Sequence, residues 1–338
     1  MHKKTTVVAW VDTETGEVAS GLKVLTQDLV KEVASLPGPK RVALETGTQS
    51  HVLARQMMSL GIDVLVVNAF KVHRLFEAMK TAKTDKLDAK LLARFLADGL
   101  LEQLAVWVPD EDTHHARTLT RLRKHFVEQS TQVCSVLRAF LRAEGEECPY
   151  TDLSGKKAQV WLDECEQRLP SLLQSCFQKL RQELAEHKDK IAQMEAEIKP
   201  CVAERREAAQ ISTINGAGAI LSLTIAAELG TLQRFPSVGN SISYGGLAPS
   251  VSQTGEHRFT GPLPHQRNPH LQCALIQLAQ HFAWSKAFEN TRLKRRYYRV
   301  LHKYGPNPAK VALARDLLRI IFAMLRDGTE FKPELLAA

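Results

Sequence analysis

The chain has 338 residues, 44% of them hydrophobic and 24% charged. That is an ordinary globular balance, long enough for two or three domains. Lys and Arg exceed Asp and Glu by eight, which fits a polyanionic partner, nucleic acid first. No apolar run reaches the ~20 residues that span a bilayer, and nothing reads as a signal peptide. The six cysteines are scattered without a C-x-x-C pair, which argues against zinc or a disulfide framework and for a reducing cytosol.

Thr5 to Val11 reads as a strand, and Asp12 and Glu14 as the turn after it. Arg41 to Leu44 and Val64 to Val67 are apolar throughout and read as strands buried on both faces, with Asp63 a turn residue. Leu25 to Leu36 and Ser50 to Leu60 have helical spacing, so an α/β domain is expected over 1–109. Its last helix, Asp85 to Asp98, carries two carboxylates oddly placed. Leu87, Leu91, Leu92, Phe95 and Leu96 form its apolar stripe, with Asp88 in the middle and Asp85 at the edge. Two carboxylates turned inward are explained by a cation such as Mg²⁺ between them. The alternative is that Asp85 caps the helix and Asp88 sits in its favourable first turn.

Residues 110–208 read as a helical arm. Asp110 to Asp112 with His114 and His115 is best taken as a solvated linker. Leu119, Leu122, Phe126, Val133, Val136 and Phe140 alternate at three and four, with Gln129 in the seam. Phe177, Leu180, Leu184, His187, Ile191, Met194 and Ile198 repeat the pattern, as an antiparallel hairpin or coiled-coil arm that could dimerise.

Residues 209–338 read as a mainly helical third domain. Ile214 to Gly218 is a Gly-punctuated turn opening a helix, either a phosphate-holding turn or a plain connection. Ser250 to Gly261 reads as a polar surface loop. Thr291 to Lys310 holds Arg292, Lys294, Arg295, Arg296, Arg299, Lys303 and Lys310 with interleaved tyrosines and no acid, a phosphate-contacting surface.

Taken in order, several segments resemble the DEDD-type transposases of the insertion-sequence-one-ten family, the RNA-guided bridge recombinases related to Piv-type DNA invertases. They are Glu45-Thr46-Gly47, Lys83-Thr84-Asp85 with Asp88-Ala89, Ile214 to Gly218, the Phe235 region, Tyr244 to Pro249, Gln253-Thr254-Gly255, and Tyr298 through Lys303 with Gly305, Lys310 to Arg315 and Leu317. The resemblance implies an RNase H/RuvC-like N-terminal domain in which Glu45, Asp85 and Asp88 bind Mg²⁺. It implies a C-terminal transposase domain whose hydroxyl nucleophile attacks DNA. It also implies a guide RNA, a dimer or tetramer, and a place in the bacterial cytoplasm on the nucleoid.

The chain departs from the family in three places. Met1 begins just after the family's first aspartate, so the first strand is expected to be truncated, through a misplaced start or a decayed copy. Thr254 stands where the family has serine, with Ser252 nearby; its methyl group restricts χ1. His265-Gln266-Arg267-Asn268 replaces a lysine-x-glycine-asparagine turn, and Gln272 replaces an arginine. The expected function is therefore DNA recombination by a chain of doubtful activity. The alternatives are a nucleic-acid-binding relic and a junction endonuclease that uses the acids alone.

Overall fold

Val, Ile and Thr favour extended backbone because their branched side chains pack on a pleated surface, and the N-terminal segment follows that preference. In the computed structural model, which describes residues 4–78, 84–254 and 257–336, Thr5–Val11 (β1) pairs antiparallel with Val18–Leu25 (β2). The Asp12 carboxylate closes their turn, accepting from the N–H groups of Glu14 and Thr15 at 2.9 and 3.1 Å. β2 was not expected. Its sequence, VASGLKVL, has no apolar run, and the pairing with β1 creates the strand.

Leu29–Ser35 (α1) leads to a parallel pair, Arg41–Glu45 (β3) and Asp63–Val67 (β4), connected through Ser50–Ser59 (α2). Asp63 is the first residue of that ladder rather than a turn residue, and it pairs with Arg41 at 2.9 Å. Val24, Leu29, Leu44, Leu53, Met57 and Val64 share one core. Ala69–Ala78 (α3) and Asp85–Ala97 (α4) enclose a second, built on Val67, Val72, Phe76 and Phe95. Among the described residues the strands of this part pair only two by two. Met1–Asp110 is one compact unit.

Glu111–Ala338 is the other. Glu111–Ala143 (α5) and Ser171–Ala203 (α7) run antiparallel, with Lys156–Arg168 (α6) between them in sequence. Their direction follows from the pairs they make. Arg123 meets Glu195 at 2.6 Å, Phe126 lies 6.5 Å from His187, and Phe140 stacks on Phe177 at 6.1 Å. Glu111 and Asp112 are the first turn of α5, not a linker, and acids are favoured there by the helix dipole. His187 occupies the seam with its Nδ1 buried and without a hydrogen-bond partner.

Further helices follow in this unit: Arg206–Ser212 (α8), Ala219–Leu229 (α9), Val238–Tyr244 (α10), Pro269–Trp284 (α11) and Arg292–Tyr304 (α12). A last long one, Pro306–Asp327 (α13), follows. Their core includes Phe282 stacked on Phe288 at 3.8 Å. Ala116 of α5, Ile198 and Val202 of α7, and Leu223 and Ala227 of α9 form one buried cluster. The paired helices and the C-terminal helices therefore share a core. The polar segment expected as a loop contains two strands, Val251–Thr254 (β5) and His257–Thr260 (β6), paired antiparallel.

Candidate functional site

Glu45 ends β3 and is half-buried. Asp85 opens α4, whose cap is the neighbouring Thr84: its hydroxyl accepts from the Leu87 N–H at 3.2 Å. Asp85 is exposed and Asp88 only half-buried, while Leu87 is 41% exposed. The expected inward placement of both acids is corrected here. Asp88 lies on the same side of the helix as buried Phe95, but two turns earlier, where α4 has not yet entered the core. Among the described residues no three His, Cys, Asp or Glu side chains gather closely enough to hold a metal ion. As arranged, Glu45, Asp85 and Asp88 do not fit a Mg²⁺ site. Lys83 and Gly255 lie outside the described residues.

The second group of candidates belongs to the C-terminal unit. Thr254 is the last residue of β5 and is exposed, its backbone paired with position 257. Phe259 lies two residues beyond that position, so the pleat puts Thr254 and Phe259 on one face. Phe259 is 71% exposed. Below the ribbon, Ser250 and Gly261 continue the pairing: the Ser250 N–H donates to Pro262 O at 3.1 Å and the Gly261 N–H to Ser250 O at 2.8 Å.

The segment that carries the ribbon leaves α10 through a glycine turn. The Leu247 N–H reaches back to Ile242 O at 3.0 Å and the Gly246 N–H to Ser243 O at 2.9 Å, with Gly246 at φ 65°. The freed carbonyls are held from outside. Gln272 donates to Gly246 O at 2.8 Å, and Arg315 donates twice to Leu247 O at 3.2 and 2.9 Å. A Cβ on Gly246 would stand 2.5 Å from Arg267 Cβ. Gly246→Ala is therefore expected to lower stability by about 1–3 kcal/mol, from overpacking and backbone strain; thermal melting of the full chain checks this.

Asn268 closes the same segment. Its N–H donates to Tyr244 O at 2.8 Å, and its amide nitrogen donates to the Tyr244 hydroxyl and to Glu228, both at 2.8 Å. Its amide oxygen caps α11, accepting from His270 and Leu271. Glu228 is fully buried and takes a two-pronged grip from Arg121 of α5 at 2.7 and 2.8 Å. Arg117 donates to the carbonyls of Ala227 and Glu228 at 2.9 and 3.0 Å. Burial pushes the Glu228 carboxyl up, but the hydrogen bonds and charge of Arg121, then the Asn268 amide and Arg117, hold it below the usual carboxylate range. Sequence reasoning missed Glu228. Its one signal was a lone acid in the otherwise apolar helix Ala219–Leu229.

On α12, Arg292, Arg295, Arg296, Arg299 and Lys303 fall within an arc of about 100° and are all exposed. Leu293, Tyr297 and half-buried Leu301 face the other way. Lys294 corrects the expectation. It is 2% exposed, paired with Glu289, and its ammonium donates to Ser285 O at 2.9 Å. Arg296 is half-exposed but already pairs with Asp316 at 2.9 Å, and Lys310 is half-buried on α13. With DNA, Arg295→Ala and Arg299→Ala are each expected to reduce the salt slope of binding by about one. Lys294→Ala should leave that slope unchanged and lower the melting temperature. Fluorescence titrations across a salt series separate these outcomes.

Comparison with known proteins matches residues 1–144 to a DEDD transposase family and residues 208–298 to the family described as transposase IS116/IS110/IS902. The transposase for insertion sequence element IS1328 of Yersinia enterocolitica is 25% identical over 90% of this chain and 88% of its own length. A probable family 20 transposase of Pseudomonas aeruginosa is 24% identical over 87% and 86%. The transposase for insertion sequence element IS1111A of Coxiella burnetii is 24% identical over 92% and 84%.

Proposed function

The chain belongs to the IS116/IS110/IS902 family of transposases, and from that premise we propose that it cuts and rejoins DNA with Thr254 as its nucleophile. The observation that carries this reading is Thr254 itself, an exposed hydroxyl on a paired strand inside the segment that matches the family. Its Oγ forms a bond to a DNA phosphorus, one DNA P–O bond breaks, and the released DNA hydroxyl takes up a proton. The phosphodiester energy stays in the protein–DNA linkage, so rejoining needs no ATP. The arginine face of α12 supports the reading as a surface for the phosphate backbone.

An RNase H/RuvC-like N-terminal domain, a guide RNA and a homo-oligomer complete the proposal, as the family resemblance implies. A divalent cation such as Mg²⁺ would neutralise charge on the phosphate oxygens. Among the described residues the carboxylates do not fit one as arranged. That same observation favours a second reading, a nucleic-acid-binding protein that does not cut.

The test uses the full chain with Mg²⁺ and a plasmid carrying its own gene and flanking DNA. Protein–DNA adducts that survive SDS, together with recombinant junctions, are the expected result. Salt-sensitive binding with neither product would overturn it in favour of the second reading.

A further inference from the structure

We propose that Glu228 is a positioning residue that ties the helix α5 to the root of the Thr254 ribbon, so that the ribbon is oriented by α5. The inference rests on the reading of Thr254 as nucleophile only for its catalytic consequence.

The whole excursion from Gly245 to Arg267 is closed at its root by one residue pair, Tyr244 and Asn268. They are joined twice, through the backbone and through the side chains, each at 2.8 Å. Gln272 and Arg315 hold the Gly246 and Leu247 carbonyls just beyond it, and the bond from the Asn268 amide nitrogen to Glu228 Oε2 links the root toward α5. Arg121 donates to both oxygens, Nε to Oε1 at 2.7 Å and Nη2 to Oε2 at 2.8 Å. A carboxylate with no exposed surface holds its charge only through such partners, and these come from two sources, α5 and the ribbon root. Glu228 is the joint between them. Capping of α11 needs only the oxygen of Asn268; the nitrogen serves Tyr244 and Glu228 alone. A serine at 268 therefore keeps a cap acceptor and removes the joint, which separates positioning from helix stability.

The experiment is hydrogen exchange on the full chain, comparing wild type with Asn268→Ser, Arg121→Gln and the milder Tyr244→Phe. Exchange at Ser250 and Gly261 should speed up by about tenfold in Asn268→Ser and Arg121→Gln, the loss of a hydrogen bond to a charged group. Tyr244→Phe should give a smaller increase, and α13 should be unchanged. Unchanged exchange at both amides in all three variants overturns the joint. So does acceleration spread equally over α11 and α13, which marks plain destabilisation. The SDS adduct assay then separates the two ideas. An adduct that persists in Thr254→Ala refutes the nucleophile and leaves the exchange result standing. A Thr254-dependent adduct that forms at the wild-type rate in Asn268→Ser, with DNA affinity unchanged, refutes the positioning role in catalysis.

Discussion

Thr254→Ala abolishes the SDS-resistant DNA adduct, by about a thousandfold or more, as removal of a nucleophile does, and leaves DNA affinity in place. The residue is exposed at the end of β5, so the truncation should change stability by no more than about 0.5 kcal/mol. Loss of product then reports chemistry and not unfolding. Thr254→Ser is the informative partner. Serine has no branching methyl, turns freely about χ1 and presents the same oxygen, so the adduct should form at least as fast as in wild type. Gel electrophoresis of labelled plasmid after SDS treatment measures both. An adduct of full yield in the alanine variant would move the nucleophile elsewhere.

Glu228→Ala destabilises the C-terminal unit by about 3–5 kcal/mol, because it leaves the buried Arg117 guanidinium without the carboxylate 3.5 Å away and strips Arg121 and Asn268 of their acceptor. Arg117 has 10% of its side chain exposed and cannot simply turn to water. The pH dependence has a definite sign. The folded carboxyl is held below its ordinary value, so its contribution is complete above the unfolded value of about 4.3 and is lost as pH falls through the folded one. The stability gap between wild type and Glu228→Gln should therefore be widest near neutrality and close in acid. Urea unfolding at a series of pH values tests this, and a gap that widens toward acid would contradict it.

Much of this molecule could be read from its residues because local patterns and tertiary packing agree. The apolar runs of β3 and β4 lie where expected; Phe126, Val133 and Phe140 of α5 do lie in its packed face, but Leu122 and Val136 are exposed and Leu137 and Leu141 are buried instead. Where they disagree, the reason is specific. Periodicity located Asp88 around the helix but carried no information on how far along α4 the core extends. The same periodicity puts Lys294 on the side of α12 occupied by Tyr297 and Leu301, against the basic composition of the segment. Val18–Leu25 needs a partner strand to exist at all. Glu228 was hidden because its meaning lies in Arg121 and Asn268, 107 and 40 residues away.

Helix α5 has a mechanical side. Its buried Ala116 packs against α9, and Arg121 follows only five residues later. At ~1.5 Å per residue that guanidinium stands on a short lever of about 8 Å, while the far end at Ala143 stands on one of about 40 Å. A swing about Ala116 would reach Glu228 geared down about fivefold by that geometry. On that lever a displacement of several ångströms at Ala143 turns the linkage at Arg121 by about one.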